Sequence, residues 1–166
     1  MSTLLVIGTV PGIYAFWHNS FVMAAKDLYH DHVRQALEND GWTVTDDPYG
    51  LKWGRATLQI DLGAERLIAA EKGEQKIAVE IKSFVGRSQV DDLEDALGQL
   101  VLYRHLLRKQ EPERLLYLAV HTDVFASFLS QPHVESLLQE EVIRLIVFEP
   151  QKKEIIKWIN WTDTGT

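Results

Sequence analysis

In "KIAVEIKSF", residues 76–84, Glu80 and Lys82 take alternate positions of what otherwise reads as a buried strand. Strand side chains alternate faces, so Ile77, Val79 and Ile81 fall on one side and Ala78, Glu80 and Lys82 on the other. Such a pair is either an ion pair on a half-exposed strand or part of a metal-dependent phosphodiesterase centre. Nineteen residues before Glu80, Asp61 ends the strand-like "TLQID". Antiparallel pairing of the two strands as a hairpin would bring these carboxylates together. Two carboxylates in one site repel unless a cation lies between them, and hard oxygen ligands suit Mg²⁺ or Mn²⁺. Such an ion lowers the pKa of a bound water and offsets charge on phosphorus. Asp61 and Glu80 are therefore the expected metal ligands. Lys82 completes the expected catalytic set by steering the nucleophile and stabilising charge.

Three further residues are candidates for supporting roles. Gln99 and Tyr103 stand at i, i+4 along one side of an apolar stripe formed by Leu93, Leu97, Leu100 and Leu107. Taken alone, they read as a boundary glutamine and a core tyrosine. His30 shares a helical side with Val33 and Leu37, where a hydrogen-bonded core histidine is commoner than a ligand. Asp31 and His32 are expected to face solvent. Glycine-rich phosphate loops, nucleophile elbows and His/Cys zinc spacings are absent from the sequence.

These side chains need a scaffold. Helical spacing runs from Lys26 to Asn39 and stops at Gly41. "WTVTDD" reads as a short strand closed by the turn "DPYG". "ATLQIDLG" and "RLIAAEK" follow as strands, although helix competes for "GAERLIAAEKG", and "KGEQ" turns the chain into "KIAVEIKSF". The longest helix is "SQVDDLEDALGQLVLYRHLLRKQ", with Ser88 as N-cap, acids in its first turns and bases in its last. A buried strand "RLLYLAV", a helix broken near Pro132, and the strands "VIRLIVFEP" and "KEIIKWIN" complete the order. One α/β (α+β) domain follows, a mixed sheet flanked by helices.

Composition sets the bounds. The 166 residues suffice for one core, 46% of them are hydrophobic, and there is no cysteine for a disulfide, thiolate metal site or nucleophile. This suits a reducing cytoplasm. The net charge of −7 disfavours non-specific coating of nucleic acid, so contact with DNA would be local or helped by metal or partner. Residues 1–22 contain no Lys, Arg, Asp or Glu, lack the basic start of a secretory signal, and are too broken by Pro11 and Gly12 to span a membrane. They are expected to be an extension from upstream translation, with the domain over 23–160 and a tail at 161–166.

"MAAKDLYHDHVRQALENDGWTVTDDP", "IDLGAERLIAAEKGEQKIAVEIKSF", "DALGQLVLYR" and "EPERLLYLAV" closely resemble the cyanobacterial XisH family, the fdxN-element excision controlling factors. The resemblance runs from Met23 to about Asn160. It implies the restriction-endonuclease-like fold of the PD-(D/E)xK superfamily, with Asp61 as first acid, Glu80 and Lys82 as E-x-K, and Gln99 and Tyr103 as the Q-x-x-x-Y of RecB-type members. Many such nucleases carry a further glutamate on the first helix. Here that helix offers Asp27, His30 and Asp31, with no glutamate before Glu38, so either His30 stands in or the metal site is thinner than in an active nuclease. The resemblance further implies DNA as substrate, an XisI-type protein and a site-specific recombinase as partners, and a role in excising a DNA element during heterocyst development. A homodimer is left open. The alternative is a non-catalytic accessory protein of the same fold, acting through DNA or protein contacts.

Overall fold

The computed structural model describes residues 29–54, 56–58 and 67–161. Its main sheet has six strands in the order β1 (Thr43–Asp46), β4 (Leu67–Lys72), β5 (Gln75–Ile81), β6 (Arg114–His121), β7 (Arg144–Glu149) and β8 (Glu154–Ile159). A separate antiparallel pair joins β2 (Leu51–Trp53) to β3 (Ala56–Leu58). The central pairs β5/β6 and β6/β7 are parallel and the outer pairs antiparallel. Parallel neighbours need crossovers. Helix α2 (Gln89–Gln110) supplies the first; α3 (Thr122–Val124), a π-helical turn (Phe125–Leu129) and α4 (Pro132–Glu140) supply the second. A helix α1, described over 29–39, precedes β1.

The alternation read in "KIAVEIKSF" decides which helix covers which face. Ile77, Val79 and Ile81 join Ile68, Ala70, Ala119 and Ile146 in one apolar cluster, closed by Val33 and Leu37 of α1. Ala78, on the other face, joins Leu118, Val120 and Leu145 beneath Leu93, Ala96, Leu100 and Tyr103 of α2. Helix α2 holds its register through Ser88, whose hydroxyl accepts from Asp91 N at 3.3 Å, as the sequence implied. At its other end, Gln110 and the Lys52 backbone exchange two hydrogen bonds of 2.8 and 3.1 Å, tying β2 to α2.

Two expectations change. The strand "LKW" (β2) was not anticipated, and over its described part the "ATLQIDLG" run pairs with it. The hairpin read at "KGEQ" forms and pairs β5 with β4, so the antiparallel neighbour of Glu80 is Leu67 and not a residue of the "TLQID" run. The reason is local: "RLIAAEK" and "KIAVEI" are separated only by a tight turn with Gly73 at φ +60, so adjacent runs pair. Burial of Ile68 and Ala70 against α1 also resolves the helix–strand competition in favour of strand.

Each outer strand carries one surplus residue. Val44 and Asp46 of β1 face Ala70 and Ala69, leaving Thr45 over. On the far edge, Lys157 and Ile155 of β8 face Val147 and Phe148, leaving Ile156 over.

Candidate active site

Glu80 and Lys82 lie on the α2 side of β5, where Glu80 has no solvent exposure and Lys82 only 4%. Leu67 of β4 and Leu118 of β6 flank Glu80 in the sheet. Ionic groups this deep cost stability unless the fold compensates them. A half-exposed strand bearing a solvated ion pair is therefore not what the sequence forms here.

The lysine reaches the first turns of α2. Its Nζ is 3.9 Å from both Asp92 Oδ1 and Asp95 Oδ2. Asp92 also accepts the Gly86 N–H through Oδ2 at 2.9 Å. A Cβ at Gly86 would stand 2.6 Å from Asp92 Oδ1, so the glycine makes room for this carboxylate. The Lys82 N–H donates to Ala119 O at 3.1 Å, extending the β5/β6 ladder by one step. Two residues later Phe84 adopts φ +52, which turns the chain off the sheet towards α2. A non-glycine residue held in the left-handed region costs about 1–3 kcal/mol, and such strain clusters at functional sites.

Gln99 and Tyr103 belong to the same helix face. A helix linking two parallel strands runs back against them. Two residues back along β5 is about 7 Å, and one turn onward along α2 is about 5.4 Å. Gln99 follows Asp95 by one helical turn, in the direction that runs back along β5 from Lys82 towards Glu80. Tyr103 is buried in the α2-side core, and Gln99 is half-buried with Oε1 enclosed. Asp61 lies outside the described residues.

His30 is elsewhere in the layering. It belongs to α1, which covers the opposite face of the sheet, and its Nε2 is 2.9 Å from Asp47 Oδ2. Arg34 Nη1 donates to the same oxygen at 3.1 Å. This is the hydrogen-bonded core arrangement. Asp31 is exposed as expected, but His32 is half-buried, edge-on to the Tyr29 ring at 6.4 Å.

Asp92, Asp95 and His121 were not singled out in the sequence. The two aspartates read there only as complements to the helix dipole, yet positions 92, 95, 99 and 103 share a helical face with the expected Gln99 and Tyr103. His121 gave no signal, because its partner is a main-chain atom. Its Nε2 donates to Ser83 O at 3.2 Å, and the Tyr29 ring stacks on it at 5.0 Å and 2°. Burial holds its pKa below the usual histidine value, outweighing the Ser83 carbonyl, Asp123 and Glu149.

The model of the family described as "XisH protein" matches residues 23–156. The chain belongs to the XisH family. Two solved structures agree. An XisH family protein from Nostoc punctiforme is 37% identical, with a TM-score of 0.74 over 81% of this chain and 100% of that one. An fdxN element excision controlling factor protein from Anabaena variabilis is 39% identical, with a TM-score of 0.73 over 81% of this chain and 99% of that one. No curated protein matches significantly. In this XisH-family chain, among the described residues, no helix is long and apolar enough to cross a membrane.

Proposed function

We propose that this XisH-family chain is an endonuclease-like factor of the PD-(D/E)xK type, acting on DNA in the excision of a genetic element. The single observation supporting the reading is the burial of Glu80 and Lys82 on one strand face beneath α2. The excision role follows the name of the Anabaena variabilis relative; a site-specific recombinase and an XisI-type protein are the partners that the resemblance implies. Mg²⁺ or Mn²⁺ is the implied cofactor. Glu80 is an oxygen donor shielded from solvent, which fits a hard cation, and Asp61 would be its second ligand. When bound, the ion supplies activation of water and charge neutralisation at phosphorus. Lys82 would hold a phosphate oxygen or the attacking water, with Asp92 and Asp95 setting where its ammonium sits.

A supercoiled plasmid incubated with the purified chain tests this. Nicking should require Mg²⁺ or Mn²⁺, fall at least 100-fold in Glu80→Gln, and slow in Lys82→Ala while calorimetric metal binding persists. A rate unmoved by either substitution would overturn the proposal. The alternative, a non-catalytic accessory protein, is favoured by the two carboxylates already beside Lys82. That reading expects no nicking in any metal, and DNA or partner binding unchanged in Glu80→Gln.

A further inference from the structure

A cavity of about 200 Å³ opens between the C-terminal half of α2, the start of β6 and the turn between α4 and β7. Arg104, Arg108, Arg114 and Arg144 line it, half of the chain's eight arginines, in a protein of net charge −7. Among the described residues, no carboxylate lines it. Leu107 and Ile143 supply apolar wall.

The guanidinium charges are unequally compensated. Arg114 is held by Glu111 at 2.8 Å and Glu71 at 3.3 Å. Arg104 donates to Glu141 O at 2.6 Å, with the Glu141 carboxylate 4.0 Å away. Among the described residues, Arg108 and Arg144 have no carboxylate within 4.0 Å. Among the described residues, these two positive charges have no acidic side chain to balance them.

We propose that this cavity binds a phosphate monoester. A monoester carries about −1.5 to −2 charge at pH 7, which matches the two uncompensated arginines, whereas a carboxylate or phosphodiester carries one. Guanidinium forks suit phosphate oxygens bidentately, and the apolar wall accepts the first carbons of the esterified group. The volume suits a phosphoryl group with a small attachment and is below that of a pocket enclosing a drug-sized ligand, about 300–1,000 Å³. The site is separate from the one around Glu80. Arg114 lies opposite Lys76 and Leu118 opposite Glu80, four residues or about 13 Å along the strands. The monoester is carried equally by a free nucleotide and by the 5′-phosphate of a DNA end.

Deoxyadenosine 5′-monophosphate, deoxyadenosine, and 3′-labelled oligonucleotides with a 5′-phosphate or 5′-hydroxyl distinguish these sources. The monophosphate should raise the melting temperature of the full chain where the nucleoside does not. Arg108→Gln and Arg144→Gln should each weaken its binding about tenfold or more, the worth of one charge-assisted hydrogen bond, while Glu80→Gln binds as the parent. Preference for the 5′-phosphorylated oligonucleotide by fluorescence polarisation assigns the site to DNA ends. Monophosphate binding without that preference assigns it to free nucleotides. If both phosphorylated probes bind no tighter than their phosphate-free counterparts, or if the folded arginine variants bind as the parent does, the proposal is overturned.

Discussion

Asp92 joins Lys82 to the loop that follows it: one carboxylate oxygen lies 3.9 Å from Lys82 Nζ, and the other takes the Gly86 N–H at 2.9 Å. Removing the carboxylate in Asp92→Ala takes one contact from Lys82 and one from the Gly86 N–H and should lower stability by about 1–2 kcal/mol, read as a shift in the urea midpoint at constant m. Gly86→Ala drives a methyl into the same carboxylate and should reproduce much of that loss with Asp92 still present. Equal stability of Gly86→Ala and the parent would mean that the loop relaxes at no cost.

Arg114 is the second buried centre. Its guanidinium takes Glu111, Glu71 and the Ile77 carbonyl at 3.0 Å, and stacks over the Tyr49 ring at 5.0 Å, while Tyr49 donates its hydroxyl to Glu111. Four separated stretches meet there. Breaking such a pair leaves a charge short of its partner, so Arg114→Ala should cost about 3 kcal/mol.

The same cluster predicts an acid limb. Burial pushes the Glu111 carboxyl upward, but hydrogen bonds from Tyr49 and Arg114 outweigh it and hold the pKa below 4.5. A depressed carboxyl stabilises the fold above its unfolded value, and that contribution is lost as pH falls through the folded value. Melting temperatures below about pH 4.5 should therefore fall less steeply in Glu111→Gln than in the parent.

His121 predicts a second pH dependence, near neutrality. Its pKa is lowered by burial, so the unfolded chain takes the proton first as pH falls. Stability from this group is complete above about pH 6.5 and is lost on acidification towards the folded value. Burial acts in the same direction at His32, helped by Lys153 and opposed by Asp31. Scans between pH 7.5 and 5.5 should show a decline that is shallower in His121→Gln. An unchanged slope would remove His121 as its source.

Phe84 reverses a usual rule. Alanine is ordinarily preferred to glycine within a chain, but at φ +52 the order should invert. Phe84→Gly should be more stable than Phe84→Ala by about 1 kcal/mol, although both lose the ring that packs against Phe128. Equilibrium unfolding of the two variants decides it.

The alternation of "KIAVEIKSF", the Ser88 cap and the break before Pro132 were legible because each is a local preference that packing reinforces. The β4–β5 hairpin was legible in the "KGEQ" turn, whereas the strand "LKW" was not, since three residues are too few to show an alternating pattern. The same holds for the site. Glu80 and Lys82 announce themselves as charges in an apolar strand, and Gln99 and Tyr103 by helical spacing. Asp92 and Asp95 meet Lys82 only after α2 folds back over β5, and His121 acts through a carbonyl that every residue possesses.

The surplus residues on the outer strands bear on how another protein can engage this one. An incoming strand needs a straight row of free backbone groups, and a bulge bends that row and raises its twist. Thr45 breaks the row on β1, and Ile156, 54% exposed beside Lys157, breaks it on β8. Both rims are thereby guarded against edge-to-edge aggregation and are poor templates for β-augmentation. A protein partner would dock on helix surfaces or strand ends, leaving the six-stranded sheet unextended.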